Sequence, residues 1–284
     1  MSFSQAAVFG LLQGVTELFP ISSLGHSVLL PGVLGWRIDQ DANAFLTFLV
    51  ATHLATAVVL FAMYWRDWRV ILAGLGTALI RPRVAASRLE SRLAWLLVLG
   101  TVPAGLVGLL AERHVRRLFV SPRVAAIALV MNGLLLYGAE RLRRTATPTP
   151  SGEDPDRRLA AELKPSQALR VGLLQVLALI PGFSRTGSTI AGGLLVGLPH
   201  EDALRYSFLL ATPIIGAAAL LKLPRLVVSG SATALGVTLV GATAAAIAAY
   251  ASVKFLTRHF RTRTLTPFAV YCVLVGCASL LLLR

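Results

Sequence analysis

The sequence predicts an all-α membrane protein with several transmembrane helices, and its composition is the first reason. The 284 residues are 56% hydrophobic and 14% charged, and their mean hydropathy is +0.73. A soluble domain is about 45–50% apolar and about 25% charged. The apolar residues also form separate runs whose lengths suit single helices, since a helix needs ~20 residues to cross a bilayer. An internal repeat is the third observation, and it divides the chain into two similar halves.

In the first half, two short apolar runs, 3–18 and 23–34, are separated by a break at Pro20. Neither run is long enough to cross a bilayer, and proline disfavours helix in the residue before it. The runs predict a re-entrant helical hairpin over 3–34, surrounded by protein or by a water-filled cavity. A surface helix and a basic loop are expected over 66–92. Three transmembrane spans complete this half, at 44–64, 93–111 and 122–140.

The second half repeats this pattern after a polar stretch. Residues 141–168 are rich in proline, threonine and charge, and they predict a mobile cytoplasmic linker. Two short apolar runs, 169–180 and 187–198, then lie on either side of Pro181 and predict a second re-entrant hairpin over 169–198. Three further spans are expected at about 203–222, 233–253 and 266–283.

The two halves align as a repeat. The run GLLQ occurs in both, ending at Gln13 and at Gln175, and the same offset pairs Ser22 with Ser184. Within each half, the hairpin returns to its own side and three spans cross the membrane. The second half therefore starts on the opposite face. The sequence predicts an inverted-topology repeat, with residues 1–140 and 169–284 as its two copies within a single membrane domain.

The charge distribution predicts the orientation. The net charge is +14, but we exclude a nucleic-acid partner because the arginines lie in short loops between apolar runs, where membrane topology places them. Most lysines and arginines fall in loops on one face of the predicted bundle, and that face should be cytoplasmic. The first hairpin then opens to the outside and the second to the cytoplasm.

The first hairpin carries polar residues that are costly at membrane depth. Gln13 and Glu17 are four residues apart and share one helix face. Ser22, Ser23 and His26 follow the break. If Ser23 opens the second half-helix, His26 lies one turn on, within reach of a base–nucleophile contact. A hydroxyl nucleophile needs such a base, and the base needs an orienting carboxylate, so this hairpin is predicted to carry the proton chemistry.

The second hairpin has no acidic residue and is predicted to bind phosphate. Arginine suits phosphate because its guanidinium group forms a bidentate fork, and Arg185 lies directly after the break. A half-helix that opens near Ser184 would also direct its N–H groups at an anion. The neighbouring hydroxyl groups belong to Thr186, Ser188 and Thr189. Together the hairpins predict a buried phosphoryl-transfer site.

Simpler structural interpretations stay open for the same residues. Glu17 and Arg185 could form a structural ion pair, and the serines could be helix caps or packing residues. We expect His53, which lies within a span, to form an interhelical hydrogen bond. Cys272 and Cys277 share one apolar run and are expected to be small packing residues rather than a disulfide or zinc site.

At these motifs the sequence resembles the integral-membrane undecaprenyl-pyrophosphate phosphatases, also called bacitracin-resistance phosphatases. The family's (E/Q)xxxE motif appears at 13–17, its PxSSxGH segment at 20–26 and its PGxSRSxxT motif at 181–189. The resemblance covers essentially the whole chain. Two departures are Gln13, which removes a second carboxylate, and Thr186, which replaces a serine and keeps the hydroxyl group.

The resemblance implies hydrolysis of undecaprenyl pyrophosphate to undecaprenyl phosphate and inorganic phosphate, which recycles the lipid carrier for cell-wall synthesis. Ser23 would be the nucleophile, Glu17 and His26 its acid–base partners and Arg185 the pyrophosphate clamp. Attack by a water molecule that Glu17 or His26 activates stays open. The remaining residues assigned to substrate binding are Gln13, Ser22, Ser184, Thr186, Ser188 and Thr189.

The resemblance also implies a setting and a cofactor. We expect a bacterial cytoplasmic (inner) membrane protein whose active site opens to the periplasmic side. A divalent cation, Mg²⁺ or Ca²⁺, is implied, with Glu17 as its candidate ligand. The expected partners are a long-chain polyprenyl pyrophosphate lipid and the bilayer, with a homodimer as a candidate assembly.

The main alternative is an inverted-repeat transporter or flippase of lipid phosphates, because such repeats with broken helices are typical of transporters. A Ser-x-x-His segment with an upstream glutamate favours the enzyme, since transport does not need it. A metal-ion channel is disfavoured because the predicted site has a single carboxylate.

Overall fold

The fold is described from a computed structural model that covers residues 1–36, 43–81, 83, 88–111, 121–143, 154–227 and 232–283. Side chains are described for all of these except residues 43, 220–227 and 232–234. The centre of the predicted linker, 144–153, lies outside the described residues.

Six helices occur in the described part of the first half, in the order that the sequence predicts. The first opens with a capping box, in which Ser2 and Gln5 bond each other's backbone N–H groups. The second ends at Gly35, whose φ of +64° suits glycine. The helices are α1 (Phe3–Thr16), α2 (Ser23–Leu34), α3 (Asn43–Met63), α4 (Trp65–Ile80), α5 (Leu89–Leu110) and α6 (Pro122–Leu142).

The residues described after position 153 form six more α-helices and one 3-10 helix. The 3-10 helix, Val176–Leu179, directly follows α8 and tightens the chain as it approaches the second break. The α-helices are α7 (Pro155–Glu162), α8 (Pro165–Gln175), α9 (Arg185–Leu195), α10 (His200–Val227), α11 (Ala232–His259) and α12 (Thr266–Leu282).

Several of these helices can cross a bilayer. The predicted spans at 203–222 and 266–283 coincide with α10 and α12, and no β-strand occurs in the described part of the chain. The chain is therefore an all-α polytopic membrane protein, as predicted. Among the described residues, four segments are long and apolar enough to cross a membrane: Ala44–Met63, Leu89–Leu110, Pro122–Leu142 and Leu235–His259.

The four helices around the two breaks are too short to cross. Helices α1 and α2 have 14 and 12 residues, and α8 and α9 have 11 each. At about 1.5 Å per residue they extend roughly 16–21 Å, well short of the ~30 Å hydrocarbon core. They lie where the sequence predicts the two hairpins, while the re-entrant course of the hairpins and the opposite orientation of the two halves stay predictions.

Glycines let each hairpin approach a span closely. Helix α1 packs on α11, where a Cβ at Gly10 would clash with the carbonyl group of Gly241. Helix α8 packs on α5 in the same way, and a Cβ at Gly172 would meet the carbonyl oxygen of Gly100 at 2.6 Å. Gly10 and Gly172 hold the same position in the sequence repeat, so both copies use one packing device.

The predicted linker needs a correction. Its described part includes α7, where Arg158 is 4% exposed and forms a double hydrogen bond with Asp202 on α10, with N–O distances of 3.1 and 2.5 Å. Leu159 is fully buried beside it. The prediction of a mobile linker is wrong for these residues, because the charged side chains that suggested solvent exposure are paired within the bundle.

We predict that Gly172→Ala destabilises the protein and that Gly105→Ala does not. A methyl group at position 172 would overlap the α5 backbone, and overpacking of this kind costs about 1–3 kcal/mol. Position 105 lies on the same helix that Gly172 contacts, and a Cβ there meets no atom within 4 Å. Thermal unfolding in detergent would measure both variants, and equal midpoints would contradict this account of the packing.

Candidate active site

The two breaks meet directly, although they are far apart in sequence. Thr186 donates its hydroxyl hydrogen to the backbone carbonyl oxygen of Glu17, at 2.9 Å. Ser184 Oγ donates to the carbonyl oxygen of Phe19, at 3.4 Å. The residues that follow the second break therefore lie against those that precede the first, as the sequence repeat predicts for a shared site.

Glu17 is the centre of the site, and its side chain is 7% exposed. Its Oε1 accepts a hydrogen bond from Arg185 Nη2 at 3.0 Å. Its Oε2 accepts from Ser23 Oγ at 2.5 Å and from Gln13 Nε2 at 3.2 Å. One carboxylate thus contacts the candidate nucleophile of the first hairpin and the candidate phosphate clamp of the second.

The two breaks open their following helices in the same way. Ser22 caps α2 and accepts a hydrogen bond from the N–H group of Gly25, at 3.2 Å. Ser184 caps α9 and accepts from the N–H group of Gly187, at 3.0 Å. The predicted helix openings near Ser23 and Ser184 are therefore confirmed. Ser22 also adopts a φ of +69°, a conformation that costs a non-glycine residue about 1–3 kcal/mol.

His26 does not make the contact that we expected. Its Nδ1 lies 2.7 Å from the carbonyl oxygen of Ser22, and its Nε2 lies 2.9 Å from the hydroxyl group of Tyr271. Because a carbonyl oxygen only accepts, Nδ1 carries the proton and Nε2 accepts from the tyrosine. No hydrogen bond joins Ser23 to His26 within the described residues, and the serine donates to Glu17 instead.

The hydroxyl groups of α9 take different roles. Thr189 Oγ1 donates to the carbonyl oxygen of Arg185 at 2.9 Å and lies 2.6 Å from Ser207 Oγ on α10, so it joins the two helices. Ser188 Oγ is fully buried. Four predicted site residues, Gln13, Ser23, Arg185 and Thr186, bond Glu17, and Ser22 and Ser184 cap the helices. The other three have neither of these roles. These three are His26, Ser188 and Thr189.

Several buried polar atoms of the site lack a hydrogen-bond partner within the described part of the chain. Gln13 Oε1, Arg185 Nε and Ser188 Oγ are three of them. Leaving such an atom unsatisfied costs about 1–3 kcal/mol. A bound anion with several oxygens would accept from Arg185 and Ser188, so the site has the hydrogen-bonding deficit that a phosphate ligand would relieve.

A divalent cation fits this site only together with an anionic ligand. No group of three His, Cys, Asp or Glu side chains occurs among the described residues. Glu17 already contacts Arg185 and Ser23. Gln13 turns its Nε2 toward Glu17, which leaves the neutral Oε1 free. One carboxylate and one amide oxygen suit Mg²⁺ that completes its coordination with phosphate oxygens and water.

His53 is a residue that the motifs do not identify. The sequence predicts only an interhelical contact for it. In the structure its Nε2 lies 3.4 Å from Glu17 Oε2, and its Nδ1 lies 2.7 Å from the carbonyl oxygen of Leu49. A histidine in the middle of an apolar span is the signal that could have placed it at the site.

Asn132 and Tyr271 are also absent from the sequence-based site. Asn132 on α6 is fully buried and contacts both breaks, through the carbonyl oxygen of Pro20 and the N–H group of Ser184. Tyr271 on α12 donates to His26. Asparagine within a span commonly forms hydrogen bonds between helices, but its sequence position does not reveal its partners.

Comparisons with known proteins show the family of the chain. The family model described as bacitracin resistance protein BacA matches residues 6–278. A protein of Mycolicibacterium paratuberculosis named undecaprenyl-diphosphatase is 45% identical over 99% of this chain and 97% of its own length. One of Acidiphilium cryptum with the same name is 42% identical over 98% of this chain and 97% of its own length.

A third relative, from Burkholderia thailandensis, is named undecaprenyl-diphosphatase 2 and is 45% identical over 97% of this chain and 95% of its own length. The match to the family model covers both hairpins and nearly all of the helices between and after them. The chain therefore belongs to the BacA family of bacitracin resistance proteins.

Proposed function

We propose that this protein hydrolyses undecaprenyl diphosphate to undecaprenyl phosphate and inorganic phosphate, which recycles the lipid carrier for cell-wall synthesis. The main observation in support of this function is that the Glu17 carboxylate contacts Ser23 on one side and Arg185 on the other. The names of the relatives support the same reaction. A flippase is not favoured, because transport does not require a serine held by a carboxylate.

In the first step, Glu17 acts as the base for the attacking hydroxyl group. Glu17 Oε2 takes the proton of Ser23 as Ser23 Oγ bonds to the terminal phosphorus. The bond from this phosphorus to the bridging oxygen breaks, and undecaprenyl phosphate leaves with that oxygen and its electron pair. Water then cleaves the phosphoserine, and the serine regains a proton. In the alternative without a covalent intermediate, Glu17 or His26 activates water directly.

Arg185 is the proposed clamp for the diphosphate. Its Nη2 donates to Glu17, but its buried Nε has no partner in the described part of the chain and can donate to a phosphate oxygen. The N-terminus of α9 adds a partial positive charge, and Ser188 adds a free hydroxyl group. Charge stabilisation of this kind supplies much of the rate in phosphoryl transfer.

His26 is proposed as the second acid–base group. Ser23, the proposed nucleophile, donates its hydrogen bond to Glu17 and not to the imidazole of His26. Its Nε2 already accepts from Tyr271, so it can exchange a proton with water or with the leaving phosphate either through the tyrosine hydroxyl group or after that hydrogen bond opens. The hydrogen bond from Nδ1 to Ser22 keeps the ring in this tautomer.

A divalent cation is proposed to bind with the substrate. Gln13 Oε1 and the Glu17 carboxylate would hold it, and it would neutralise charge on the diphosphate.

The membrane setting is proposed to be the bacterial inner membrane, with the site open to the periplasm. The excess of Lys and Arg on the opposite loops supports this orientation. Matching glycine contacts and serine caps in the two halves support the inverted repeat. The homodimer stays a prediction.

We predict that Ser23→Ala, His26→Ala and Arg185→Ala each reduce hydrolysis at least about 100-fold, the scale of removing a base or a charge clamp. The measurement is phosphate release from a long-chain prenyl diphosphate by purified protein. Ser91→Ala is the matched control, since Ser91 is also buried but bonds Gly74 outside the site. Full activity in all three site variants would contradict the assignment to these hairpins.

The orientation has a separate test. A cysteine placed at position 37 should react with a membrane-impermeant thiol reagent added to whole cells, and one at position 151 should react only after permeabilisation. The exposed Cys277 is first replaced by alanine to remove background labelling. The reverse pattern would show that the site opens to the cytoplasm.

Tyr271→Phe should reduce the hydrolysis rate about 2- to 10-fold, because it removes one hydrogen bond to His26 and keeps the ring. Tyr250→Phe is the control, since Tyr250 is an exposed tyrosine on α11. Steady-state rates of the two variants are compared with the wild type. A Tyr271→Phe rate equal to that of the control would show that the hydroxyl group does not influence His26.

A further inference from the structure

We propose that Asn132 is a positioning residue that holds the two breaks in register and thereby sets the distance from Ser23 and Glu17 to Arg185. This role rests on the proposed function of the site. Asn132 lies on α6, outside both hairpins and outside the motifs that the sequence singles out. Its side chain contacts no catalytic group, so it acts through the backbone on either side of it.

The amide of Asn132 joins one break to the other. Its Nδ2 donates to the carbonyl oxygen of Pro20 at 2.9 Å, and its Oδ1 accepts from the N–H group of Ser184 at 3.1 Å. Cys272 Sγ lies 3.3 Å from the same Nδ2. Since the carbonyl group only accepts and the N–H group only donates, the orientation of the amide is determined.

Both backbone groups need such a partner. Pro20 and Ser184 lie in the breaks, outside the helical hydrogen-bond ladders. Asn132 is fully buried, and an unsatisfied backbone group in a membrane interior is strongly destabilising. Cys272 Sγ also lies 3.8 Å from the Pro20 carbonyl oxygen, but it does not reach Ser184. The amide of Asn132 bonds both breaks, and it can do so only while they keep their present separation.

The breaks are also packed tightly against the helix that carries Asn132. A Cβ at Gly182 would clash with the backbone of α6 at Ala125. A Cβ at Gly187 would lie 3.1 Å from Asn132 Oδ1 and 3.2 Å from the carbonyl oxygen of Pro20. The amide is therefore enclosed by backbone on several sides, and α6 is the common support of both breaks.

Asn132 can influence catalysis because its two backbone partners lie close in sequence to the proposed catalytic residues. Glu17 and Ser23 each lie three residues from Pro20, and Arg185 directly follows Ser184. A shift of one break relative to the other therefore moves the attacking oxygen relative to the phosphate clamp. A misplacement of about 1 Å can reduce a rate about 100-fold. The direct contacts of Thr186 with Glu17 and of Ser184 with Phe19 remain available without the amide, so variants can still fold.

The test compares Asn132→Leu and Asn132→Asp with the wild type. Leucine keeps the branching at Cγ, although it is larger, and removes both hydrogen bonds. An ionised aspartate still accepts from Ser184 but places an acceptor against the carbonyl oxygen of Pro20. We expect kcat for phosphate release to fall about 10- to 100-fold in both variants and KM to stay within about threefold, because the substrate contacts themselves are intact.

Leu136→Ala is the matched control. Leu136 is fully buried on the same helix, but its apolar side chain forms no hydrogen bond with either break, so its loss should lower the unfolding midpoint by several degrees and leave kcat within about threefold. The proposal is overturned if, for the same decrease in the unfolding midpoint, Leu136→Ala loses as much kcat as the Asn132 variants do. Asn132 would then have only a structural role.

A double variant gives an independent readout. If Asn132 acts by placing Arg185, the combined loss in Asn132→Leu with Arg185→Ala should be smaller than the product of the two separate losses. Fully multiplicative losses would overturn the proposal, as would a kcat for Asn132→Leu within threefold of the wild type. Absence of phosphate release by the wild type would instead overturn the proposed function, so the two failures are distinguishable.

Discussion

The buried carboxylate of Glu17 is the constraint on which the arrangement of the two hairpins depends. An ionised carboxylate away from water costs several kcal/mol unless charge and hydrogen bonds offset it. Gln13 and Ser23 come from the same hairpin, but the positive charge comes from Arg185 in the other. The first hairpin is therefore stabilised only when the second docks against it. The ion pair that a purely structural interpretation would expect is also the contact that assembles the proposed site.

The spans supply the parts of the site that the hairpins lack. Helix α3 places His53 beside Glu17, α6 places Asn132 between the breaks, and α12 places Tyr271 on His26. Each is a polar side chain on a largely apolar helix, where hydrogen-bond partners are scarce. The hairpins carry the proposed chemistry, and the surrounding helices orient it.

Several buried polar groups of the site have no partner in the described protein. Gln13 Oε1, Arg185 Nε and Ser188 Oγ are three such groups, although most of their neighbours are satisfied. The strained backbone at Ser22 lies beside Ser23, the proposed nucleophile. Such costs persist only where the surrounding structure imposes them, and they are typical of sites that are organised for a bound substrate. A diphosphate would relieve the deficit at the arginine and at the serine hydroxyl group.

The helices, the two breaks, the repeat and most of the residues that meet at the site can be predicted from the amino-acid sequence. Those features depend on local patterns: apolar runs of limited length, prolines, serine caps and motif residues close in sequence. The hydrogen-bond partners within the site, in contrast, follow only from the three-dimensional packing. Ser23 donates to Glu17 rather than to His26, and His26 pairs with Tyr271, a residue on the last helix. The charged residues of α7 suggested a linker exposed to solvent. Their sequence position does not reveal that their partners lie on another helix. Contacts between distant segments follow from packing and from the need to satisfy buried polar groups. The spacing of residues along the chain therefore does not predict them.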